Sequence, residues 1–215
     1  MKCRDVVLAT FLAMVGAVTP LHSQAPQVMA IRAGRLFDSK SGQALADQIV
    51  LIEGDKITAA GPTSSVQIPS GAQVIDLGKA TVLPELIDGH THVFGYGNAG
   101  IKSGGAPFAN LINDTRECRT LLALANAQKD LRAGFTTLRD LMSHGGGYGD
   151  VDIRNAIDRG FFEGPRMQVS TMGLVATGAG ILGSPEVDLP RNYQTVDSPW
   201  AARQAVREQI HYGAD

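Results

Sequence analysis

The hydrophobic pattern of the chain changes period once, at Pro84, and that switch limits the fold more than any other feature. Before it, short β-rich runs are separated by tight turns. Val28 to Ala33 is one candidate strand, and Gln48 to Glu53 is a clearer one. Gly54-Asp55 then makes a turn and Lys56 to Ala60 returns, a hairpin signal. Val74 to Leu77 and Thr81 to Leu83 read as two further short strands, so a small antiparallel β unit is expected.

After Pro84 strands alternate with helices. Leu86-Ile87-Asp88 leads into His90, and a helix is expected from Leu111 to Ala133, with Leu121, Leu124, Ala125 and Leu131 at helical spacing and Gly134 at its end. Phe135 to Leu141 is a strand, Val151 to Arg159 a short helix closed by Gly160, and Arg166 to Ser170 a strand. A long Gly- and Pro-rich loop covers Gly173 to Asp197. Ser198 can cap a last helix with Pro199 at its first position, and Ala202, Val206 and Ile210 lie four apart on one face before Gly213 ends it. Strand–helix alternation implies a parallel α/β sheet or barrel.

Composition removes several alternatives. With 44% hydrophobic residues and a formal net charge of −2, the 215-residue chain is globular in character rather than disordered. Lys and Arg number 19 against 21 Asp and Glu, so nothing in the charge balance suits nucleic acid. Residues 1–25 read as a secretory signal: Lys2 and Arg4, an apolar run from Val6 to Val18, a break at Pro20, and small residues Ser23 and Ala25. That run is shorter than the roughly 20 residues a membrane span needs, so no span is expected once the signal is removed. The expected location is secreted or periplasmic, in a bacterium. Cys3 would leave with the signal. Cys118 then stands alone in a helical stretch, unable to form an internal disulfide and read as a small packing residue.

His90-Thr91-His92 carries the chemistry. Residues two apart on a strand share a face, so both imidazoles can reach one metal ion through nitrogen. The C-terminal end of a strand is also where α/β barrels place their active sites. Asp88, one step deeper on that face, is a candidate to hold a histidine ring. His144 and Tyr148 follow the second strand and are candidates for substrate contact. The neighbouring glycines Gly145 to Gly147 do not make a phosphate loop, which also requires a Lys-Ser/Thr pair. Arg139 and Asp140 are expected to pair structurally, and Thr177 to Gly180 to line a pocket through backbone. His211 near a helix C-terminus and Trp200 in a first turn are read as structural.

These segments carry a resemblance. Leu83-Pro84-Glu85-Leu86-Ile87-Asp88-Gly89-His90-Thr91-His92 resembles the metal-binding signature of the amidohydrolase superfamily. Ala133-Gly134-Phe135-Thr136-Thr137-Leu138-Arg139-Asp140-Leu141, Ile153 to Gly160, and Gly164-Pro165-Arg166-Met167 resemble its imidazolonepropionase-like, Xaa-Pro-dipeptidase-like branch. One position departs from the pattern: Glu85 stands where Gly is common, and is expected to point outward harmlessly.

The resemblance implies an α/β fold in which residues 26–82 contribute strands of a small β-sandwich domain. Residues 83–215 would be the first three βα units of a (β/α)8 TIM barrel, a fold of about 250 residues, ending before strand 4. It implies that His90 and His92 bind zinc, with two divalent metals and a carboxylated lysine beyond residue 215. Histidines on later strands and a proton-shuttling aspartate would also lie there, so no catalytic residue is expected within residues 1–215. The implied activity is metal-dependent hydrolysis of amide or peptide bonds in dipeptide-like or N-acyl amino-acid substrates. A deaminase or cyclic-amide hydrolase on the same scaffold, or a non-catalytic secreted binding protein, are the alternatives. Homo-oligomerisation is left open. Taken by itself, the 215-residue piece is expected to be poorly soluble and inactive, with open sheet edges.

Overall fold

The computed structural model describes residues 28–95, 111, 113–179 and 193–215. The expected signal segment lies outside them, as do Gly180 and most of the Gly- and Pro-rich loop. The chain divides into two compact units, with the break after Pro84.

The first unit is a four-stranded sheet of order β3-β2-β1-β4. Its strands are β1 (Val28–Asp38), β2 (Gln43–Glu53), β3 (Lys56–Pro62) and β4 (Gln73–Val82). β1, β2 and β3 pair antiparallel in sequence, with the hairpin turn at Gly54-Asp55 as expected. The fourth strand corrects the sequence reading twice. Its two apolar pieces form one strand, and that strand runs parallel to β1, so the sheet is mixed. Continuity across the polar middle has a local cause. The register shifts between Ala33 and Arg35, where a Cβ on Gly34 would sit 2.2 Å from the Gly78 carbonyl oxygen. Only glycine allows the two backbones to approach so closely. Asp76 also accepts the Gly78 N–H at 2.9 Å. Ala30, Ala33, Ile49 and Val50 are buried within this unit.

The second unit is built on a parallel sheet of order β5-β6-β7, formed by β5 (Leu86–Thr91), β6 (Phe135–Asp140) and β7 (Arg166–Val169). Parallel neighbours require a crossover. α1 (Arg116–Arg132) lies in the first and α2 (Gly149–Asp158) in the second. α1 is capped by Thr115, whose Oγ1 accepts the Cys118 N–H at 3.2 Å. The core joins Ala123, Leu124 and Ala127 of α1 to Leu138, Met167 and Val169 of the sheet, Val151 and Ile153 of α2, and Val93 and Phe94. Beyond β7 the ends of the expected loop pair as short parallel strands, β8 (Gly173–Val175) and β9 (Tyr193–Thr195). α3 (Pro199–His211) follows, with Ser198 Oγ accepting the Ala201 N–H at 3.1 Å and Pro199 in the first turn.

Helix faces differ from the pattern reading by about one residue. α1 turns Ala123 and Ala127 inward and leaves Leu121 65% exposed. Small alanines let a helix lie close to a sheet, so they displace larger residues from the contact line. α3 likewise buries Ala205 and Gln209, not Val206 and Ile210, which stay exposed. Gln209 is drawn in by its hydrogen bond to Thr171, which helix periodicity cannot reveal. Cys118 and Trp200 are also exposed, against the expectation that both pack inward.

Candidate functional site

β5 delivers His90 in its last turn of strand, and His92 lies one residue beyond its end. The backbone here is tied on every side. Thr91 accepts the Leu141 N–H at 3.0 Å, and the His92 carbonyl accepts the Gly95 N–H at 2.7 Å, closing a tight turn. Val93 donates its N–H to Asp140 Oδ1 at 3.0 Å and accepts from Asn126 Nδ2 at 2.9 Å. Asp88 accepts the His90 main-chain N–H at 3.0 Å. It therefore shapes the strand end through backbone, rather than through an imidazole ring as the sequence reading had it.

Three imidazoles gather at this end. The His90 and His92 ring centroids are 5.2 Å apart with planes at 80°, and His92 and His144 are 4.6 Å apart at 78°. His144 reaches His92 from a backbone with φ +41°, in the left-handed region that His adopts more readily than most residues. The loop behind it is compact. Ser143 Oγ donates to the Gly147 carbonyl at 2.7 Å, and a Cβ on Gly146 would lie 2.4 Å from the Phe94 ring. Glycine at 146 is what lets this loop close over Phe94.

Burial sets the charge of the His92 and His144 rings. It lowers the His144 pKa to about 4, with His92 adding repulsion. Burial also lowers the His92 pKa, opposed by the Met142 backbone and assisted by His90. Both rings are thus neutral near pH 7, the form in which imidazole offers a lone pair. His92 Nδ1 is buried and, among the described residues, has no partner in good hydrogen-bond geometry. A neutral imidazole beside two further imidazoles suits a borderline-soft cation such as zinc. The donor set is partial: among the described residues no three His, Cys, Asp or Glu side chains stand together as a metal-holding group.

Tyr148 is engaged elsewhere. It precedes α2, its ring centroid is 4.6 Å from that of Tyr212, and it lines a cleft with Arg116, Thr120 and Asp152. Thr177 does not present free backbone, since its N–H donates to Asp197 Oδ1 at 2.7 Å and its hydroxyl to Oδ2. His211 ends α3 with its ring beside Tyr212.

Two buried carboxyl groups escaped the sequence reading. Arg139 and Asp140 do not pair: adjacent strand residues face opposite sides, leaving Arg139 exposed and Asp140 fully buried. Burial raises the Asp140 pKa to about 8, with Asp150 adding to it and the Val93 N–H opposing it. Asp150, also fully buried, accepts the Thr171 N–H at 2.8 Å, and burial raises its pKa to about 6. Thr171 sits at φ +62° and donates to Gln209 Oε1 at 2.9 Å. The available signal was the strand alternation itself, which sends Leu138 and Asp140 to the same side. At the opposite end of the sheet Glu85 is exposed as expected, accepts from Thr136 Oγ1 at 2.5 Å and lies 4.0 Å from Arg166.

Comparison with known proteins follows the same lines. No protein-family model matches the chain. Over 68 residues, 32% of this chain and 11% of the other, it is 35% identical to an adenine deaminase of Mesorhizobium japonicum. The fold is similar to the crystal structure of an amidohydrolase at TM-score 0.67 and 28% identity, covering 88% of this chain and 45% of that one. It is similar to a Xaa-Pro dipeptidase with bound methionine in its active site, at TM-score 0.66 and 25% identity, covering 88% of this chain and 46% of that one. The resemblance to the amidohydrolase superfamily is supported by these structural neighbours. It spans less than half the length of the amidohydrolase structures it matches. Among the described residues, no helix is long and apolar enough to cross a membrane.

Proposed function

We propose that the chain belongs to a metal-dependent amidohydrolase that cleaves amide bonds of dipeptide-like or N-acyl amino-acid substrates. The observation that carries this reading is the His90–His92–His144 cluster at the C-terminal end of a parallel sheet. The likeness to a Xaa-Pro dipeptidase supports the substrate class. The parallel β5-β6-β7 sheet with α1 and α2 in its crossovers is consistent with the opening units of a TIM barrel. Export through residues 1–25 belongs to the same reading.

His90 and His92 would hold the metal, with zinc the best match to a pair of imidazole nitrogens. When bound, zinc lowers the pKa of water and polarises a carbonyl oxygen. The protein's own groups do the rest. The tethers on Thr91, His92 and Val93 keep both rings in place. His144 remains neutral against His92, able to donate one hydrogen bond or accept one from a substrate carbonyl or carboxyl group. Tyr148 would contact the more distant part of the substrate from its cleft beside α1.

A deaminase or cyclic-amide hydrolase is the second reading, favoured by the adenine deaminase match. Assay of the zinc-loaded full chain on N-acyl amino acids, Xaa-Pro dipeptides, cyclic amides and adenine separates the readings. Hydrolysis of the first two classes supports the proposal. Turnover of cyclic amides or adenine alone moves the assignment to the second reading.

A further inference from the structure

Val93 is the residue directly after His92, and its peptide groups are held by two side chains distant in sequence. Asp140, from the end of β6, accepts the N–H at 3.0 Å; Asn126, from α1, donates to the carbonyl at 2.9 Å. Both are buried, with Asp140 fully inaccessible and Asn126 3% exposed. A buried carboxyl group is costly unless something is gained from its hydrogen bond. A valine N–H just past a strand end has cheaper partners available, including water. Here the strand end is instead fixed between an acceptor on one side and a donor on the other. The next residues turn back at once, through the Gly95 N–H to the His92 carbonyl. These bonds fix the chain path just past His92, and with it the backbone from which the His92 ring reaches His90 and His144.

We infer that Asp140 and Asn126 are positioning residues for the metal site, acting as a two-sided clamp on the Val93 peptide that aims the His92 ring. They touch neither substrate nor metal; they act through the backbone of the ligand. The inference rests on the proposed metal role of His92. It assigns to a second strand and a helix a share in metal affinity. Groups that orient ligating histidines are worth about 10- to 100-fold in metal affinity, so a loss in that range is expected when the clamp is opened.

The test uses competitive zinc titration of the full chain, with the ligand-field spectrum of the cobalt-substituted protein as a second readout. Asp140→Ala and Asn126→Ala remove opposite jaws of the same clamp. Each is expected to weaken zinc binding at least tenfold and to change the cobalt spectrum. Asp140→Asn keeps an acceptor for the Val93 N–H and is expected to stay within about threefold of the parent, since only the hydrogen bond matters to positioning. Asp150→Ala serves as the structural control. It opens a buried carboxyl contact to Thr171 of equal depth, and is expected to lower the melting temperature while leaving zinc affinity unchanged. Should Asp140→Ala fail to fold, Asn126→Ala reads the same clamp from its other side. Parent-like zinc affinity and cobalt spectrum in a folded Asp140→Ala or Asn126→Ala overturn the clamp alone. A parent chain that binds zinc no better than His92→Ala removes the metal reading, and the clamp's purpose with it.

Discussion

Asp140 Oδ1 accepts the main-chain N–H of Val93 at 3.0 Å, joining the end of one strand to the turn that follows another. The carboxyl group that does so is fully buried, and its second oxygen has no hydrogen-bond partner among the described residues. The bond couples the candidate site to the protonation of the core.

That coupling has a sign. The folded-state pKa of Asp140, about 8, lies above the ordinary value of 3.8 for an aspartate, so folding favours the protonated acid. Asp150 shifts the same way, to about 6. A raised carboxyl pKa contributes stability that is complete below the unfolded value and is lost as pH rises through the folded one. Stability should therefore fall from about pH 4 to pH 8, with each group contributing a slope of at most about 1.4 kcal/mol per pH unit. Urea denaturation midpoints at pH 5, 7 and 9 measure this. Asp140→Asn should flatten the fall between pH 6 and 8. An unchanged midpoint across that range would show that Asp140 is ionised in the folded chain.

The loop that carries His144 tolerates no side chain at position 146. A Cβ there would meet the Phe94 ring at 2.4 Å, and Phe94 is part of the core. Gly146→Ala should destabilise the chain by about 1–3 kcal/mol, the usual cost of overpacking. Thermal or urea unfolding reads the change. A neutral result would mean that Phe94 moves aside freely.

Glu85 should matter little. Its partners Thr136 and Arg166 lie at an exposed edge, and surface ion pairs are worth about 0–1 kcal/mol. Glu85→Ala is expected to change the unfolding free energy by less than about 1 kcal/mol. A larger loss would assign the residue a buried role that its exposure does not suggest.

Cys118 lies on the outer face of α1. It should react fully with a maleimide under native conditions, as read by mass spectrometry of the tryptic peptide. Protection until denaturant is added would mean that this face is covered.

The parts of the fold written in local pattern were legible in the sequence. The change at Pro84, the Gly54-Asp55 hairpin, the Ser198 cap and the strand that carries His90 all follow from neighbouring residues. What periodicity missed depends on contacts between distant residues. The parallel pairing of β4 with β1 turns on Gly34 facing Gly78. The inward face of α3 turns on Gln209 meeting Thr171. At the site, the pair two residues apart was visible, and so was His144 as a candidate. The support beneath them was not, because Asp140 and Asn126 lie 47 and 33 residues from the peptide they hold. Arg139 and Asp140 read as a charge pair only while their opposite faces are ignored.

The central claim is that His90 and His92 form part of a zinc site. Zinc content per full chain, measured by plasma emission spectrometry after dialysis against trace zinc, tests it most directly. The parent should retain zinc, and His90→Ala and His92→Ala should each lose it while keeping the parent's circular dichroism. Equal zinc in the parent and both variants would contradict the account.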